Sequence, residues 1–380
     1  MINKIKFKNY KIFKSLQTLE LKPITILIGK NSSGKSAVLK LPILIESSLS
    51  GSFPEPLLLT NNGVEHGGEF KDLVYARQYT GLLDISLEND TEQLNIVIGS
   101  NQPSNNLEIF SWKLNDFEID TSKEKFRGFL ATSKEIQTLS LNINYISSYR
   151  EGLERYFGKN SKTYEIVGIK GEYVYSILIE DGLTTPQNLI KKISKFYQEN
   201  FEGWNIRFNK DLVTPPYQIE LERDNLKINL KEVGLGMIYA LPLAVTALMP
   251  AKQETLIIIE EPELHLHPAA HGNLAQLFTE SLTDTNKRYL IETHSQNFVL
   301  RLRRLIAQGD LDKEKVVIYY VDFDEKTAES TLIRIDIDEQ GKPINNKTGE
   351  IYWPENVFSE TLDETRAIRT AQLSKQNHDR

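Results

Sequence analysis

Hydrophobic positions along this chain fall into three patterns, each predicting a different kind of element. Short continuous apolar runs at Ile24 to Ile28, Leu256 to Ile259, Arg288 to Glu292 and Val316 to Val321 predict strands buried on both faces, the type found in parallel sheets. Alternating runs predict half-buried strands. Lys4, Lys6 and Lys8 interleave with Ile5 and Phe7, which reads as a charged edge strand protected against pairing with other chains. The same alternation at Leu82 to Leu87, Leu94 to Ile98, Leu107 to Leu114 and Leu139 to Tyr145 predicts an antiparallel β lobe. Tyr217 to Leu230 reads as a strand pair, and Thr331 to Ile337 with Gly341 as a hairpin. Helical spacing appears at Ser36 to Ser48, where Pro42 predicts a kink, and at Ile238 to Met249. It recurs after Pro186, with Leu189, Ile190, Ile193 and Tyr197 on one face, and after Pro268, with Leu274, Leu277, Phe278 and Leu282. Strands alternating with helices indicate the α/β class: a mixed or parallel sheet core with an antiparallel β lobe and a helical lobe. The expected division is a head over 1–320, with a β lobe inserted at about 73–147 and a helical lobe at about 150–250, then a small extension over 321–380.

Composition narrows this picture in three ways. At 380 residues and 40% hydrophobic content the chain buries a full core and has room for a large α/β domain with a subdomain. The longest apolar candidate for a membrane span, Ala240 to Met249, is too short and contains Pro242, and no secretory apolar core stands at the N-terminus, so the expectation is a cytoplasmic protein without membrane partners. The absence of cysteine excludes disulfides and thiolate metal sites. A net charge of -7 argues against wholesale coating of nucleic acid and leaves a local basic strip open.

The chemistry concentrates first in Gly29-Lys30-Asn31-Ser32-Ser33-Gly34-Lys35-Ser36, between a buried strand and a helix. Glycines at these spacings let successive backbone N–H groups converge on a phosphate, with the N-terminus of the following helix aimed at the same anion. Lys35 would reach the β/γ-phosphates and the Ser36 hydroxyl would ligate Mg²⁺. A second cluster, Glu260-Glu261-Pro262-Glu263, ends the buried run Leu256 to Ile259. There Glu260 suits the metal and Glu261 the attacking water. His294, following the strand that ends at Glu292, is placed to hydrogen-bond a γ-phosphate, with Ser295 capping the next helix. His265, His267 and His271 read as parts of a structural turn rather than a transition-metal site. Arg150 reads first as a surface salt-bridge partner, with a nucleotide or cross-subunit role as the alternative, and Asp322-Phe323-Asp324 as a solvated strand-to-hairpin turn.

Taken in order, GKNSSGKS, KEVGLGM, TLIIIEEPELHLHP and IETHS resemble the ABC-class ATPases of the RecF, SMC and OLD kind, and most of all standalone bacterial ATPases with an EEPE-x-H-L-H-P box. The resemblance implies a P-loop NTPase of ABC-ATPase head type that binds ATP and Mg²⁺. It implies Gly29 to Ser36 as the Walker A loop, Glu260 as the Mg²⁺ carboxylate, Glu261 as the catalytic base and His294 as the switch histidine. Gly234 and Gly236 fall in the signature motif, which in this class caps ATP bound by the opposite subunit. The chain departs there, with Lys231 where serine is usual and Tyr239 where glutamine is usual. FKNYKIFKS is similar to the N-terminal strand and turn of such heads, which implies Lys11 near the nucleotide, and Trp353 to Phe358 resembles a W-P-x-x-F segment of their C-terminal domains, with one residue more between Pro354 and Phe358. The implied partners are a second copy in an ATP-dependent dimer or higher oligomer and a separately encoded effector such as a nuclease. The implied task is a nucleotide-gated switch in defence against phage, with a RecF-like DNA-binding ATPase of repair as the alternative. No nuclease activity of the chain's own is expected, because too few residues follow Asp324 to build a further sheet with its own carboxylates.

Overall fold

Runs that are apolar at every position need cover on both sides, and here they become the parallel centre of a seven-stranded sheet. The computed structural model describes residues 1–101, 106–150, 155–158, 162–184, 187–209, 216–355, 357–358 and 366–369. Its central sheet has the order Ile143–Ile146, Thr255–Glu260, Lys287–Glu292, Ile24–Gly29, Val316–Asp324, Glu329–Ile337 and Pro343–Asn345. Neighbours among the first five strands pair parallel, and the last two strands add on antiparallel.

Alternate residues of the central strands feed two hydrophobic cores. Ile24, Ile26 and Ile28 enter one and Leu27 the other, while Ile257 and Ile259 part from Leu256 and Ile258 in the same way. The first core is closed by helices Val174–Leu183, Asn188–Asn200, Leu235–Leu248, Pro268–Ser281 and Gln296–Gln308. Helix Lys35–Leu49 and a six-stranded antiparallel sheet close the second. That sheet runs Gln17–Glu20, Lys4–Lys8, Leu83–Glu88, Gln93–Asn101, Asn106–Leu114 and Phe117–Glu118. The α/β class with a β lobe and a helical lobe is therefore the observed architecture. Pro42 and Pro242 both lie inside helices that continue through them. The helix expected after Pro186 spans Asn188–Asn200 and buries Leu189, Ile190, Ile193 and Tyr197, while Pro186 itself lies outside the described residues.

Three expectations change. Lys4–Lys8 is not an edge strand: it lies between Gln17–Glu20 and Leu83–Glu88, and Lys4 and Lys6 pair with acids on those neighbours, Lys4 at 4.0 Å from Glu20 and 3.5 Å from Glu88, and Lys6 also with Glu88. Its lysines match cross-strand carboxylates instead of repelling other chains. The stretch Leu139 to Tyr145 does not complete the antiparallel lobe. Its strand, Ile143–Ile146, pairs parallel with Leu256 to Ile259 in the central sheet, because an alternating run fits any sheet with one covered face and only tertiary packing selects which. The sheet also runs across the expected boundary at 320/321, since Val316–Asp324 pairs with the phosphate-loop strand on one side and Glu329–Ile337 on the other. Ser330 then donates its hydroxyl to the Ser33 carbonyl at 2.7 Å, tying the later strands to the phosphate loop itself.

Candidate active site

Parallel strands that start at one edge end at the opposite one, so their last residues meet. The register sets Glu260 beside Glu292, Glu292 beside Leu27, and Gly29 beside Val321. From Gly29 the chain turns into the loop that ends at helix Lys35–Leu49. Gly34, the residue before that helix, has φ 101, a conformation that only glycine adopts readily, and an added Cβ would meet Ile12 at 2.7 Å. Gly29 is closed in the same way, with the Val321 carbonyl 2.5 Å from where a Cβ would stand. Both glycines are there because backbone and neighbouring side chains approach too closely for anything larger. Lys35 is 4% exposed, and its ammonium donates to the carbonyls of Gly29 at 3.1 Å and Lys30 at 2.8 Å. Burial lowers its pKa, with Glu292 and Glu261 acting in the opposite sense.

Ser36 donates to Glu292 at 3.0 Å, and Lys35 stands 3.8 Å from the same carboxylate. Glu292 went unremarked in the sequence except as a strand terminus. The signal was available, a carboxylate closing a buried apolar strand, and its meaning came only with the strand order that puts it next to the phosphate-loop strand. Burial raises the pKa of Glu292, while Lys35 and Ser36 pull it back. Glu260 is held from two other directions. Its carboxylate accepts from the Ser148 N–H and hydroxyl, each at 3.2 Å, and lies 3.1 Å from the Lys40 ammonium. Burial works to raise its pKa, but Lys40, Tyr145 and Ser148 outweigh burial and hold the carboxyl below its ordinary value.

Glu261 leaves the sheet with φ 41 and its N–H donating to the Glu292 carbonyl at 2.9 Å. The His294 ring stands 3.8 Å from the Glu261 carboxylate, and burial, with Lys35 nearby, lowers the pKa of that ring. Ligand atoms of Glu261, Glu292 and His294 all lie within 4.8 Å of one another. With Ser36 and Glu260 added, four of these five residues offer hard oxygen donors, which would suit Mg²⁺. Glu263 secures the turn behind them by accepting from the Thr293 hydroxyl at 2.8 Å and the His294 N–H at 2.6 Å.

His265, His267 and His271 lie in the turn and at the start of the helix that follows it. His271 bridges Ser295 at 2.8 Å and the Leu266 carbonyl at 3.1 Å, His267 caps helix Pro268–Ser281, and His265 packs edge-on against Tyr239. Ser295 caps helix Gln296–Gln308 through the Phe298 N–H. Arg150 departs from expectation: it is 1% exposed, not a surface ion-pair partner, and its guanidinium donates to the carbonyls of Glu260 and Glu261. Asp324 accepts from Lys326 N and the Thr327 hydroxyl, so Asp322 and Asp324 sit at the end of a strand leading into a turn.

Gly234, Gly236 and Lys231 stand apart from the phosphate loop. Gly234 precedes helix Leu235–Leu248 and has nothing within 4 Å of an added Cβ, while Gly236 packs on the histidine turn, where a Cβ would meet the His265 carbonyl at 2.6 Å. Lys231 is exposed, in a short turn fixed by the Asn229 side chain. Lys11 borders the loop, since Ile12 packs on Gly34, but its ammonium is held by the His66 carbonyl. The glycine-rich connection Gly63 to Asp72 thus meets the edge of the site through His66.

Residues 84–299 match a family model described as an AAA ATPase domain, and the chain belongs to that family. Its fold is similar to that of an Smc head crystallised with the C-winged helix domain of ScpA, at 15% identity over 88% of this chain and 98% of that one, with a TM-score of 0.51. An SMC head domain from Thermotoga maritima is 12% identical over 88% of this chain and 99% of that one, with a TM-score of 0.46. No curated protein matches. The chain is therefore an ATPase-family protein with the P-loop fold of an SMC head. Among the described residues no helix is long and apolar enough to cross a membrane.

His66 makes one property of this region measurable. It is 5% exposed, its Nε2 has no hydrogen-bond partner, and burial, with Lys11 and Lys40 nearby, pushes its pKa down to about 4. Between that value and the ordinary 6.5 the unfolded chain binds a proton that the folded one does not, so stability contributed by this group falls as pH drops. Urea unfolding from pH 7 to 4 should show a loss on the order of 1–3 kcal/mol that is absent in a folded His66→Gln variant. Parallel pH curves for the two proteins would contradict this.

Proposed function

We propose that this chain binds and hydrolyses ATP with Mg²⁺ and acts as a nucleotide-gated dimeric switch for a separately encoded effector. The observation that carries the reading is the exposed Gly234, with open space around its Cβ position, ahead of a helix whose Gly236 packs on the histidine turn. A γ-phosphate bound by Gly29 to Ser36 would then be capped by Gly234, Gly236 and Lys231 of a second copy, and two such faces close as a two-fold dimer. Lys35 would hold the β/γ-phosphates, with the backbone of Lys30, Asn31, Ser32 and Ser33 around them. Ser36 and Glu260, joined by Glu292, would hold the metal, which supplies charge neutralisation on the phosphates. Glu261 would orient and deprotonate the attacking water, and His294 would hydrogen-bond the γ-phosphate. Lys11 would approach the nucleotide only by leaving the His66 carbonyl.

The EEPELHLHP box favours a switch in defence against phage, with the effector chemistry supplied by the partner and the work done in the cytoplasm. Nucleic acid is a candidate trigger. The expectation of no nuclease centre is supported by Asp324, which ends strand Val316–Asp324 and is engaged in the following turn by the Lys326 N–H and the Thr327 hydroxyl.

Glu261→Gln deletes the base and spares the metal carboxylate, so turnover should fall about 10²–10⁴-fold while ATP stays bound. Light scattering of this variant should show a doubling of mass with ATP and Mg²⁺; a monomer in both states would refute the dimer. The purified chain should leave duplex DNA, single-stranded DNA and RNA intact with Mg²⁺ or Mn²⁺, with or without ATP. Cleavage lost in Asp322→Ala or Asp324→Ala would make the chain a nuclease itself.

A further inference from the structure

Arg150 is a fully buried cation that no role above uses. One nitrogen of its guanidinium donates to the Glu260 carbonyl at 3.0 Å and to the Glu261 carbonyl at 3.2 Å. Those two carbonyls belong to the peptide planes on either side of Glu261, and the φ and ψ of Glu261 are the rotations between those planes. Holding both fixes the residue. This matters because Glu261 sits at φ 41, in the left-handed region that a residue with a Cβ leaves when it can. The third restraint comes from the opposite face, where the Glu261 N–H meets the Glu292 carbonyl at 2.9 Å.

The same guanidinium faces the Tyr239 ring at 5.7 Å, on helix Leu235–Leu248, the helix that Gly234 begins. Its Nε and Nη1 are buried without hydrogen-bond partners. Glu263 is the foremost of the nearby negative groups acting on Arg150, and the Glu263 Oε2 is likewise buried and unpartnered, yet no ion pair within 4.0 Å joins the two. Two residues before Arg150, Ser148 grips the Glu260 carboxylate. The segment leaving strand Ile143–Ile146 thus holds the Glu260-Glu261 turn by its side chain at one point and by its backbone at two others.

We propose that Arg150 is a positioning residue: it locks Glu261 in its left-handed conformation, aims that carboxylate, and ties the catalytic turn to the helix behind the signature glycines, with Glu263 balancing its charge. The proposal rests on the reading of Glu261 as the base. It requires that loss of Arg150 misplace Glu261 without touching the phosphate loop, so binding and turnover should separate.

The test uses steady-state ATP hydrolysis and calorimetric ATP affinity for the full chain and for Glu261→Gln, Arg150→Met, Arg150→Lys and Glu263→Gln. Arg150→Met should lower kcat about 10²-fold, the scale of an ångström's misplacement, with ATP affinity held within about threefold. Arg150→Lys keeps the charge, but its ammonium stands one atom short of the Nη2 that meets both carbonyls and lacks the guanidinium plane that faces Tyr239, so it should fail to restore kcat. Glu263→Gln should lower kcat too, and its combination with Arg150→Met should cost less than the two effects multiplied. Wild-type kcat in a folded Arg150→Met or Arg150→Lys protein overturns the proposal, as does a parallel loss of affinity and kcat. Should Arg150→Met fail to fold, Arg150→Lys and Glu263→Gln decide by the same criteria, and a Glu263→Gln protein with wild-type kcat overturns the charge-balancing role. If Glu261→Gln hydrolyses ATP normally, the failure lies with the base assignment, not with Arg150.

Discussion

The structure depends on balancing negative charge that the sheet gathers at one edge. Parallel pairing delivers Glu260 and Glu292 to adjacent strand ends, and the chain that follows adds Glu261 and Glu263 within a few residues. Glu260 and Glu292 are 8% and 5% exposed, so water does little to screen them, and like charges this close must be met by cations or hydrogen bonds. Three of the four carboxylates have partners of their own. Lys40 and Ser148 meet Glu260, Lys35 and Ser36 meet Glu292, and Thr293 with the His294 N–H meets Glu263. Arg150 adds positive charge behind the turn, near Glu260, Glu261 and Glu263. Two of the residues engaged, Lys35 and Ser36, are those a nucleotide and its metal would recruit, so binding at the phosphate loop necessarily redistributes the charge at this edge.

That redistribution has mechanical routes outward. Ser33 is tied to Ser330, which connects the phosphate loop to the antiparallel strands at one end of the sheet. Lys11, Ile12 and His66 connect it to the β lobe, whose sheet begins with the strand leading into Lys11. On the far side, Gly236 lies against the His265 carbonyl so closely that helix Leu235–Leu248 and the histidine turn must move together. A packed interface of this kind transmits small displacements because it has no slack to absorb them. The proposed switch would draw on these contacts: a charged centre that a nucleotide would alter and rigid elements seated directly on it.

Much of this was legible in the chain. Ile24 to Ile28, Leu256 to Ile259 and Val316 to Val321 declared themselves because strands buried on both faces read as near-continuous apolar runs, interrupted here by Thr25. The Ser295 cap and the first-turn proline Pro268 were readable because helix starts are local chemistry. What escaped was whatever depends on partners distant in sequence. Arg150 meets a carbonyl 110 residues away, and nothing around Tyr149 or Arg150 announces that meeting. Glu292 acquires its place beside Ser36 from a strand order that is not the order of the sequence. Lys4–Lys8 looked like an edge because its lysines could be seen and their partners, Glu20 and Glu88, could not be assigned.

The central claim is that ATP held by one copy is completed by the signature turn of another, and mixing two inactive variants tests it most directly. Lys35→Ala disables the phosphate loop and leaves the signature intact. Gly234→Asp does the reverse, and since Gly234 has φ -61 and open space around its Cβ position, the change should not disturb its own subunit. Each variant alone should be without ATPase activity. In a mixed dimer one composite site has an intact loop facing an intact signature, so activity should return on mixing; a mixture as inactive as its components would contradict the account.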